Sequence, residues 1–156
     1  VGQHVVVRRA VEPLAGRRGV RLLCSEAADP LLAPLDPSQI QQALTNLVVN
    51  GIQATKPAGS VRIRAHTQTL GADPGSLRSA GGYAVLEVSD DGEGIPPERL
   101  SVIFDPFFTT KGVGEGTGLG LSVAHGIVQE HGGWIEVESA PGRGSCFRIW
   151  LPAGTA

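Results

Sequence analysis

The sequence predicts an α+β fold, a two-layer sandwich in which about three helices cover one face of a mixed sheet of about five strands. Helical and strand-like patterns are interspersed along the chain, but without the regular alternation of a parallel βαβ protein. The length of 156 residues suits one hydrophobic core, so we expect a single domain over residues 1–156. No internal repeat is visible.

The first helix and strand are separated by glycines. Residues 5–14 are apolar with interspersed charge and predict a helix, although Pro13 makes its end ambiguous. Gly16 and Gly19 then end it. Residues 20–24 predict the first strand.

The second helix has the strongest start signal in the chain. Asp36 supplies a capping carboxylate, and Pro37 suits the first helical position because proline lacks an N–H that would be left unpaired there. The helical pattern continues to about Thr55, where Pro57 and Gly59 stop it.

The rest of the chain predicts four strands and one more long helix. Residues 71–82 are rich in Gly, Ser, Ala and Asp and predict a mobile hairpin loop with no visible function. Residues 95–116 are long and irregular, with a short helix near 97–100. The long helix is expected at residues 117–130, and the strands at residues 61–69, 83–89, 134–139 and 145–151.

Composition excludes several classes of protein. A net charge of −2 supplies no broad basic surface for nucleic acid. No apolar run approaches the roughly 20 residues of a membrane span, and no signal peptide is visible. We therefore expect a cytoplasmic chain with no direct membrane insertion, and the absence of an initial Met suggests a fragment whose parent could still be membrane-anchored. Cys24 and Cys146 fall in strand-like stretches, which predicts reduced core thiols.

A polar stripe borders the apolar face of the second predicted helix. Asn46 and Asn50 are four residues apart and point the same way, with Gln53 on the same stripe. Asparagine is a mediocre helix former, so two on one stripe suggest a role beyond propensity. One interpretation is a solvated polar face. The other is that an amide oxygen coordinates a hard cation such as Mg²⁺, which in turn bridges phosphate oxygens.

Asp90 follows a predicted strand and precedes two glycines. A carboxylate there can accept a hydrogen bond from an exocyclic amine such as that of adenine, but not from the keto group of guanine. Gly92 and Gly94 let the backbone approach a flat ring closely, and Ile95 can pack on that ring. The alternative is an ordinary acidic turn between two elements.

Two further segments complete the pattern. In residues 114–120 the glycines expose backbone N–H groups ahead of a helix N-terminus, as in a phosphate-binding turn, although the P-loop and Rossmann contexts are absent. Residues 104–111 hold three of the four phenylalanines together with Thr109, Thr110 and Lys111. We interpret this second segment as a mobile lid between glycine hinges. The phenylalanines could also anchor the loop to the core.

In this order, the segments resemble the catalytic and ATP-binding domain of bacterial sensor histidine kinases, in the GHKL (Bergerat-fold) ATPase superfamily. The resemblance covers nearly the whole chain, and its Phe-Asp-Pro-Phe-Phe-Thr-Thr-Lys segment is similar to the subgroup related to nitrogen-regulation sensor kinases. The matching motifs are an N box at residues 46–54, a first glycine box at 90–96, an F box at 103–111, a second glycine box at 116–122 and a final glycine turn at 142–147.

The resemblance implies a role for each matching position. Asn50 would bind Mg²⁺, and Asp90 would recognise the adenine amine, assisted by Ser145 through a water. Residues 95–116 would form the ATP lid, from which Lys111 would approach the γ-phosphate. The residues implied to contact the nucleotide are Asn50, Gln53, Asp90, Gly92, Gly94, Ile95, Phe104, Thr110, Lys111, Gly116, Thr117, Gly118, Leu119, Gly120, Leu121 and Ser145, and those implied in catalysis are Asn46, Asn50 and Lys111.

The same resemblance limits the reaction. Hydrolysing members of the superfamily carry a Glu four residues before the Mg²⁺-binding Asn, and here that position is Asn46, a poor base. The implied function is transfer of the γ-phosphoryl group of Mg-ATP to a histidine on a separate dimerisation hairpin, with a response regulator acting through the full-length protein. We expect that hairpin to be absent, because the chain's own histidines lack the phosphoacceptor context. The alternatives are a nucleotide-binding regulatory module without transfer activity and an anti-sigma-factor-type serine kinase.

Overall fold

The computed structural model describes residues 3–25, 36–71, 78–106 and 120–152. Within these ranges the chain forms three α-helices, five strands and one turn of 3₁₀ helix at Pro97–Arg99, which confirms the predicted α+β class. None of these helices is both long enough and apolar enough to cross a membrane. The helices are α1 (Gln3–Arg18), α2 (Pro37–Ala54) and α3 (Gly120–Glu130), and the strands are β1 (Arg21–Ser25), β2 (Ser60–Leu70), β3 (Gly81–Asp90), β4 (Trp134–Ser139) and β5 (Ser145–Pro152).

The five strands form one mixed sheet in the order β1-β2-β3-β5-β4. β1 runs parallel to β2, and the other neighbouring pairs are antiparallel. In this order the last residue of β3, Asp90, lies opposite the first residue of β5, Ser145. Ser139, the last residue of β4, lies opposite Ser145 from the other side. Strand order therefore brings three separate parts of the sequence side by side.

The helices pack on one face of the sheet and bury a continuous core. Alternate residues of the central strands face the helices, as the two-residue repeat of a strand requires. Among the side chains whose burial the structure describes, α2 contributes more buried apolar ones to this core than α1 or α3 does, including Leu44, Leu47 and Ile52. Burial of each such side chain contributes on the order of 1.5–3 kcal/mol. The core therefore fixes α2 firmly against the sheet.

Helix α2 begins where the sequence predicts. The Asp36 carboxylate accepts hydrogen bonds from the N–H groups of Ser38 at 3.0 Å and Gln39 at 3.4 Å, while Pro37 occupies the first turn. These bonds satisfy two of the N–H groups that the first turn of a helix leaves unpaired.

Helix α1 is longer than the predicted residues 5–14, and it ends before Gly19, one of the two glycines expected to end it. Pro13 is exposed and the helix continues past it to Arg18, where Gly19 (φ +68°) closes it in the left-handed conformation typical of helix ends. Arg18 then donates to the carbonyl oxygens of Ile52 and Gln53 at the end of α2. These hydrogen bonds attach the last turn of α1 to the end of α2.

The opposite face of the sheet carries polar and aromatic side chains. Arg148 donates to Glu87 at 2.6 Å and to Glu138 at 3.0 Å, and these ion-paired hydrogen bonds span three neighbouring strands. The aromatic rings on this face contact one another, and they belong to Tyr83, Trp134 and Trp150.

The two cysteines differ in environment. Cys24 in β1 packs against the core, whereas Cys146 lies on the opposite face of the sheet, 3.3 Å from the Ser89 hydroxyl. The prediction of a core thiol thus holds for Cys24 and is wrong for Cys146. Strands β1 and β5 are three positions apart in the sheet, or about 14 Å at the usual strand spacing, which is too far for a disulfide between them.

Candidate functional site

Three polar side chains form a row where the ends of β3, β5 and β4 meet. Asp90 pairs in register with Ser145, and Ser145 pairs with Ser139. Residues directly opposite each other on neighbouring strands share a face, and here it is the face that the helices cover. Asp90 and Ser145 are only 7% and 8% exposed. Because buried polar groups require partners, this row is the first candidate for a binding site.

The Asp90 carboxylate is only partly satisfied by the residues that the structure describes. Its Oδ1 accepts a hydrogen bond from the Gly92 N–H at 2.8 Å. Burial raises the pKa of Asp90 above its usual value, and the Asp91 charge adds to this rise, whereas the backbone N–H groups of Gly92 and Ser145 oppose it. A carboxylate can accept about four hydrogen bonds. Asp90 therefore keeps acceptor capacity for a donor arriving from the helix side.

Helix α2 passes closely over this carboxylate. A Cβ placed on Gly51 would lie 3.5 Å from the Cβ of Asp90. A Cβ on Gly92 would lie 2.6 Å from the carbonyl oxygen of Ala54 and 2.7 Å from Asp90 Oδ1. The sequence suggested that Gly92 makes room for a flat ring. In the structure the space beside it is filled by the last turn of α2 and by Asp90 itself.

The start of the predicted lid is attached to the turn between β4 and β5. Gly94 has a φ of +76°, and a Cβ there would overlap the carbonyl oxygen of Ala140. The next residue, Ile95, donates its N–H to Ser139 Oγ at 2.8 Å and packs against the core. Gly94 thus permits close contact between two backbone segments, and this contact fixes the direction in which the lid leaves the sheet.

The Asn46 side chain links two helices. Its Nδ2 donates to the carbonyl oxygen of Gly120, the first residue of α3, at 3.1 Å, and its Oδ1 accepts from Gln42 at 2.9 Å. Asn46 is half-buried. The solvated-stripe interpretation is therefore wrong for this residue, because both ends of its amide bind protein atoms.

Asn50 lies one turn further along α2, between the Asp90 end of the site and the Gly120 end. It is half-buried, and within the described residues its side-chain amide forms no hydrogen bond. An amide oxygen is a ligand that Mg²⁺ accepts, and Mg²⁺ usually retains several waters and phosphate oxygens besides one or two protein ligands. The oxygen of Asn50 fits such a partial coordination shell.

Phe104 is attached to the core. Its ring stacks on His125 of α3 with centroids 4.9 Å apart, and it makes a T-shaped contact with the Phe147 ring of β5 at a centroid distance of 6.4 Å. Of the two interpretations of the phenylalanines, this contact favours the anchor for Phe104. A contact between Phe104 and a nucleotide stays a prediction.

Several predicted site residues lie outside the described ranges. The predicted lid at residues 95–116 is described only as far as Pro106. Of the remaining predicted residues, Gln53 is half-buried on α2, and Leu121 packs against the core near the start of α3. The residues outside the described ranges are Thr110, Lys111, Gly116, Thr117, Gly118 and Leu119.

Two residues of this region were missed by sequence reasoning. Ser139 connects Ile95 to Ser145 through its hydroxyl. Gly144 has a φ of +76°, and a Cβ there would overlap the carbonyl oxygen of Asp90, so β5 can begin beside Asp90 only with glycine at this position. The glycine-rich turn was visible in the sequence, but its contact with Asp90 depends on strand order.

Comparison with known proteins identifies one family. The sequence model described as histidine kinase-, DNA gyrase B-, and HSP90-like ATPase matches residues 35–155. The chain is 43% identical over 117 residues to the sensor histidine kinase ZraS of Escherichia coli, with 75% of this chain and 22% of ZraS covered. It is 41% identical over 161 residues to the sensory histidine kinase/phosphatase NtrB of Rhodobacter capsulatus, with 97% of this chain and 43% of NtrB covered. The chain thus spans less than half the length of either relative.

A solved structure agrees over nearly its whole length. The nucleotide-free catalytic domain of the histidine kinase ThkA superposes with a TM-score of 0.75 at 31% identity, with 97% of this chain and 90% of that chain covered. The similarity therefore extends beyond the family match into α1 and β1.

Proposed function

The chain belongs to the histidine kinase-, DNA gyrase B- and HSP90-like ATPase family, and we propose that it is the catalytic domain of a sensor histidine kinase. In this proposal it binds Mg-ATP and transfers the γ-phosphoryl group to a histidine on a separate helical hairpin. Transfer takes place in the cytoplasm, whether or not the parent protein is membrane-anchored. A response regulator then receives the signal through the full-length kinase.

The observation that carries the proposal is the buried Asp90 carboxylate, which retains acceptor capacity beside Ser145. The C6 amine of adenine supplies the donor that this carboxylate lacks. Guanine would instead bring a keto oxygen against an acceptor. Leaving a buried polar group unpaired costs about 1–3 kcal/mol, so the wrong base would bind roughly fivefold to 150-fold more weakly.

The phosphates are proposed to lie between Asn50 and the start of α3. The N–H groups and partial positive charge at a helix N-terminus favour anions, and the hydrogen bond from Asn46 to Gly120 supports a fixed spacing between the two helices. Asn50 would hold Mg²⁺, which when bound neutralises charge on the phosphate oxygens. Thr110 and Lys111 are proposed to contact the phosphates from the lid.

The proposed site favours phosphoryl transfer over hydrolysis. Hydrolysis requires a base that activates water, and an amide is not a base. The Asn46 amide is also engaged at both of its ends, by Gln42 and Gly120. Catalysis would then rest on positioning and on stabilisation of charge, which supports a kinase that keeps the phosphoryl group for a protein acceptor.

The phosphoacceptor is proposed to lie on another domain. His125 stacks against Phe104. His131 lies 2.8 Å from the Ile127 carbonyl oxygen through Nδ1 and accepts the Asp36 N–H at 3.1 Å through Nε2. These contacts give two of the four imidazoles of the chain structural roles, which supports an external histidine.

The proposal is tested by combining the chain with the dimerisation hairpin of its parent kinase and with Mg-ATP labelled on the γ-phosphate. We expect acid-labile label on the hairpin, and none when its histidine is replaced or when Asp90→Ala replaces the unmodified chain. Nucleotide binding without any labelling would favour the regulatory module. Acid-stable label would favour a serine kinase.

A further inference from the structure

The hydroxyl of Ser139 takes part in three hydrogen bonds at the adenine end of the proposed site. Its Oγ accepts from the Ile95 N–H at 2.8 Å. It also lies 2.9 Å from the Gly144 carbonyl oxygen and 2.8 Å from Ser145 Oγ. One side chain thus connects the start of the lid, the turn after β4 and the first residue of β5.

The direction of each hydrogen bond follows from counting donors and acceptors. A serine hydroxyl has one hydrogen and two lone pairs. The Gly144 carbonyl can only accept, so the hydrogen of Ser139 points to it. The Ile95 N–H occupies one lone pair of Ser139, and the remaining lone pair accepts the hydroxyl hydrogen of Ser145. If Ser139 donated to Ser145 instead, no hydrogen would lie between Ser139 Oγ and the Gly144 carbonyl oxygen, and their lone pairs would face each other.

The arrangement determines what Ser145 offers to a ligand. Its hydrogen is directed to Ser139, so only lone pairs remain on the other side of Ser145 Oγ. Ser145 also lies directly opposite Asp90 across the two strands, at a typical Cβ separation of about 5 Å. A freely rotating Ser145 hydroxyl could donate to the Asp90 carboxylate. That hydrogen bond would occupy the carboxylate oxygen that the amine of the base requires as its acceptor.

We propose that Ser139 is a positioning residue for base selection, which turns the Ser145 hydrogen away from Asp90 so that both residues present acceptors to the base. The inference rests on the proposed function, because it assigns a specificity role within the same nucleotide site. A purine with an amine at C6 donates to this pair, directly or through a water. A purine without that amine leaves both acceptors unpaired. The same hydroxyl holds Ile95, so the wall of the base pocket and its acceptors are fixed together.

The test compares ATP with purine riboside triphosphate, which has the same ribose and phosphates but no C6 amine. Affinities are measured by calorimetry in the presence of Mg²⁺ on the 156-residue chain. We expect Ser139→Ala and Ser145→Ala each to lower the preference for ATP by roughly three- to tenfold, the range for one neutral hydrogen bond. Ser139→Thr keeps the hydroxyl and should restore the preference. Ser89→Ala is the matched control, because its hydroxyl contacts Cys146 on the opposite face of the sheet.

Two readouts separate base selection from a purely structural role. In the Ser139→Ala/Ser145→Ala double variant the preference for ATP should fall no further than in Ser145→Ala, because Ser139 acts through Ser145. In Ser139→Ala alone, the pKa of Asp90 followed by NMR should fall, since the released Ser145 hydroxyl can donate to the carboxylate.

The outcomes distinguish this inference from the proposed function. Tight ATP binding with an unchanged preference in Ser139→Ala would overturn the role of Ser139 and leave the kinase proposal standing. Additive effects in the double variant would also overturn it. Failure of the unmodified chain to bind ATP would overturn both. If Ser139→Ala does not fold, the test rests on Ser145→Ala. An unchanged preference for ATP in that variant would show that Ser145 Oγ is not an acceptor for the base, and it would overturn the inference.

Discussion

Asn46 of α2 donates a hydrogen bond from its side-chain Nδ2 to the carbonyl oxygen of Gly120, at the first residue of α3, over a separation of 74 residues. The Asn46 side chain thus links α2, which carries Asn50, to α3, which is proposed to face the phosphates. Any change in this link should move the start of α3 relative to Asn50. Asn46 therefore tests whether helix spacing supports nucleotide binding.

We expect Asn46→Ala to lower the free energy of unfolding by about 1 kcal/mol and to weaken ATP binding, because the part-buried bond to Gly120 is lost and the exposed bond from Gln42 adds little. Asn46→Asp should be more harmful, at about 2 kcal/mol, because it sets a carboxylate oxygen against the Gly120 carbonyl. Urea unfolding and calorimetry measure the two effects. Gln42→Ala is the control, since it removes only the bond to Asn46 Oδ1. Unchanged ATP affinity in Asn46→Asp would show that helix spacing is unimportant.

Replacement of Asn50 tests the metal assignment. Asn50→Ala should remove most of the Mg²⁺ dependence of ATP affinity and lower the affinity in Mg²⁺ by roughly tenfold, because the protein ligand to the ion is lost. Titrations of ATP with and without Mg²⁺ measure this. Asn46→Ala is a matched control on the same stripe, and it should weaken binding while keeping the Mg²⁺ dependence. If the dependence persists in Asn50→Ala, another ligand holds the metal.

The sequence predicts those features that local chemistry determines. Asp36 and Pro37 mark the start of α2 because capping needs only neighbouring N–H groups. The strands around Asp90 are visible in the alternation of their side chains, and the sheet they form agrees with the predicted class. Pro13 leaves the end of α1 ambiguous in the sequence, because the hydrogen bonds that hold its last turn run from Arg18 to carbonyl groups 34 and 35 residues away in α2.

The candidate site likewise contains residues that the sequence predicts and residues that it does not. Asp90 and its glycines stand in one short motif, so their association could be predicted. Ser139 could not, because it reaches Asp90 only through the strand order β3-β5-β4. The partner of Asn46 was invisible for the same reason. Polar residues whose partners lie on distant segments carry no local signature.

Gly94 allows the start of the lid to contact the β4–β5 turn. Gly142 is the matched control, because it has nearly the same φ but lacks that close contact. Gly94 and Gly142 have nearly the same φ, +76° and +77°, but a Cβ on Gly94 would overlap Ala140, whereas nothing lies within 4 Å of a Cβ on Gly142. Gly142→Ala should cost about 1–2 kcal/mol, the penalty for a left-handed alanine. Gly94→Ala should cost about 2 kcal/mol more and weaken ATP binding, because Ile95 must shift. Equal unfolding midpoints for the two variants would contradict the close contact.

Asp90→Asn separates the stability of the fold from nucleotide recognition. Burial of the charged carboxylate raises its pKa, so the charged form is disfavoured in the folded chain. The neutral amide keeps an oxygen that can accept the Gly92 N–H, and we expect the thermal midpoint at neutral pH to be unchanged or higher. ATP affinity should fall by roughly a hundredfold, since the charged acceptor is lost. A large fall in the midpoint would mean that Asp90 is needed mainly for folding.

The pH dependence of ATP binding should report the same carboxylate. Because the pKa of Asp90 is raised above its usual value of 3.8, the folded chain takes up this proton at a higher pH than the unfolded chain does. As pH falls through the raised pKa of Asp90, protonation removes the cost of the buried charge and stabilises the fold. The same protonation removes the acceptor for the adenine amine. ATP affinity should therefore decline at a pH at which an ordinary aspartate is still charged. ATP affinity is measured by calorimetry against pH for the unmodified chain and for Asp90→Asn, whose profile corrects for titration of the nucleotide itself. If the two profiles coincide after scaling, Asp90 is not the titrating group.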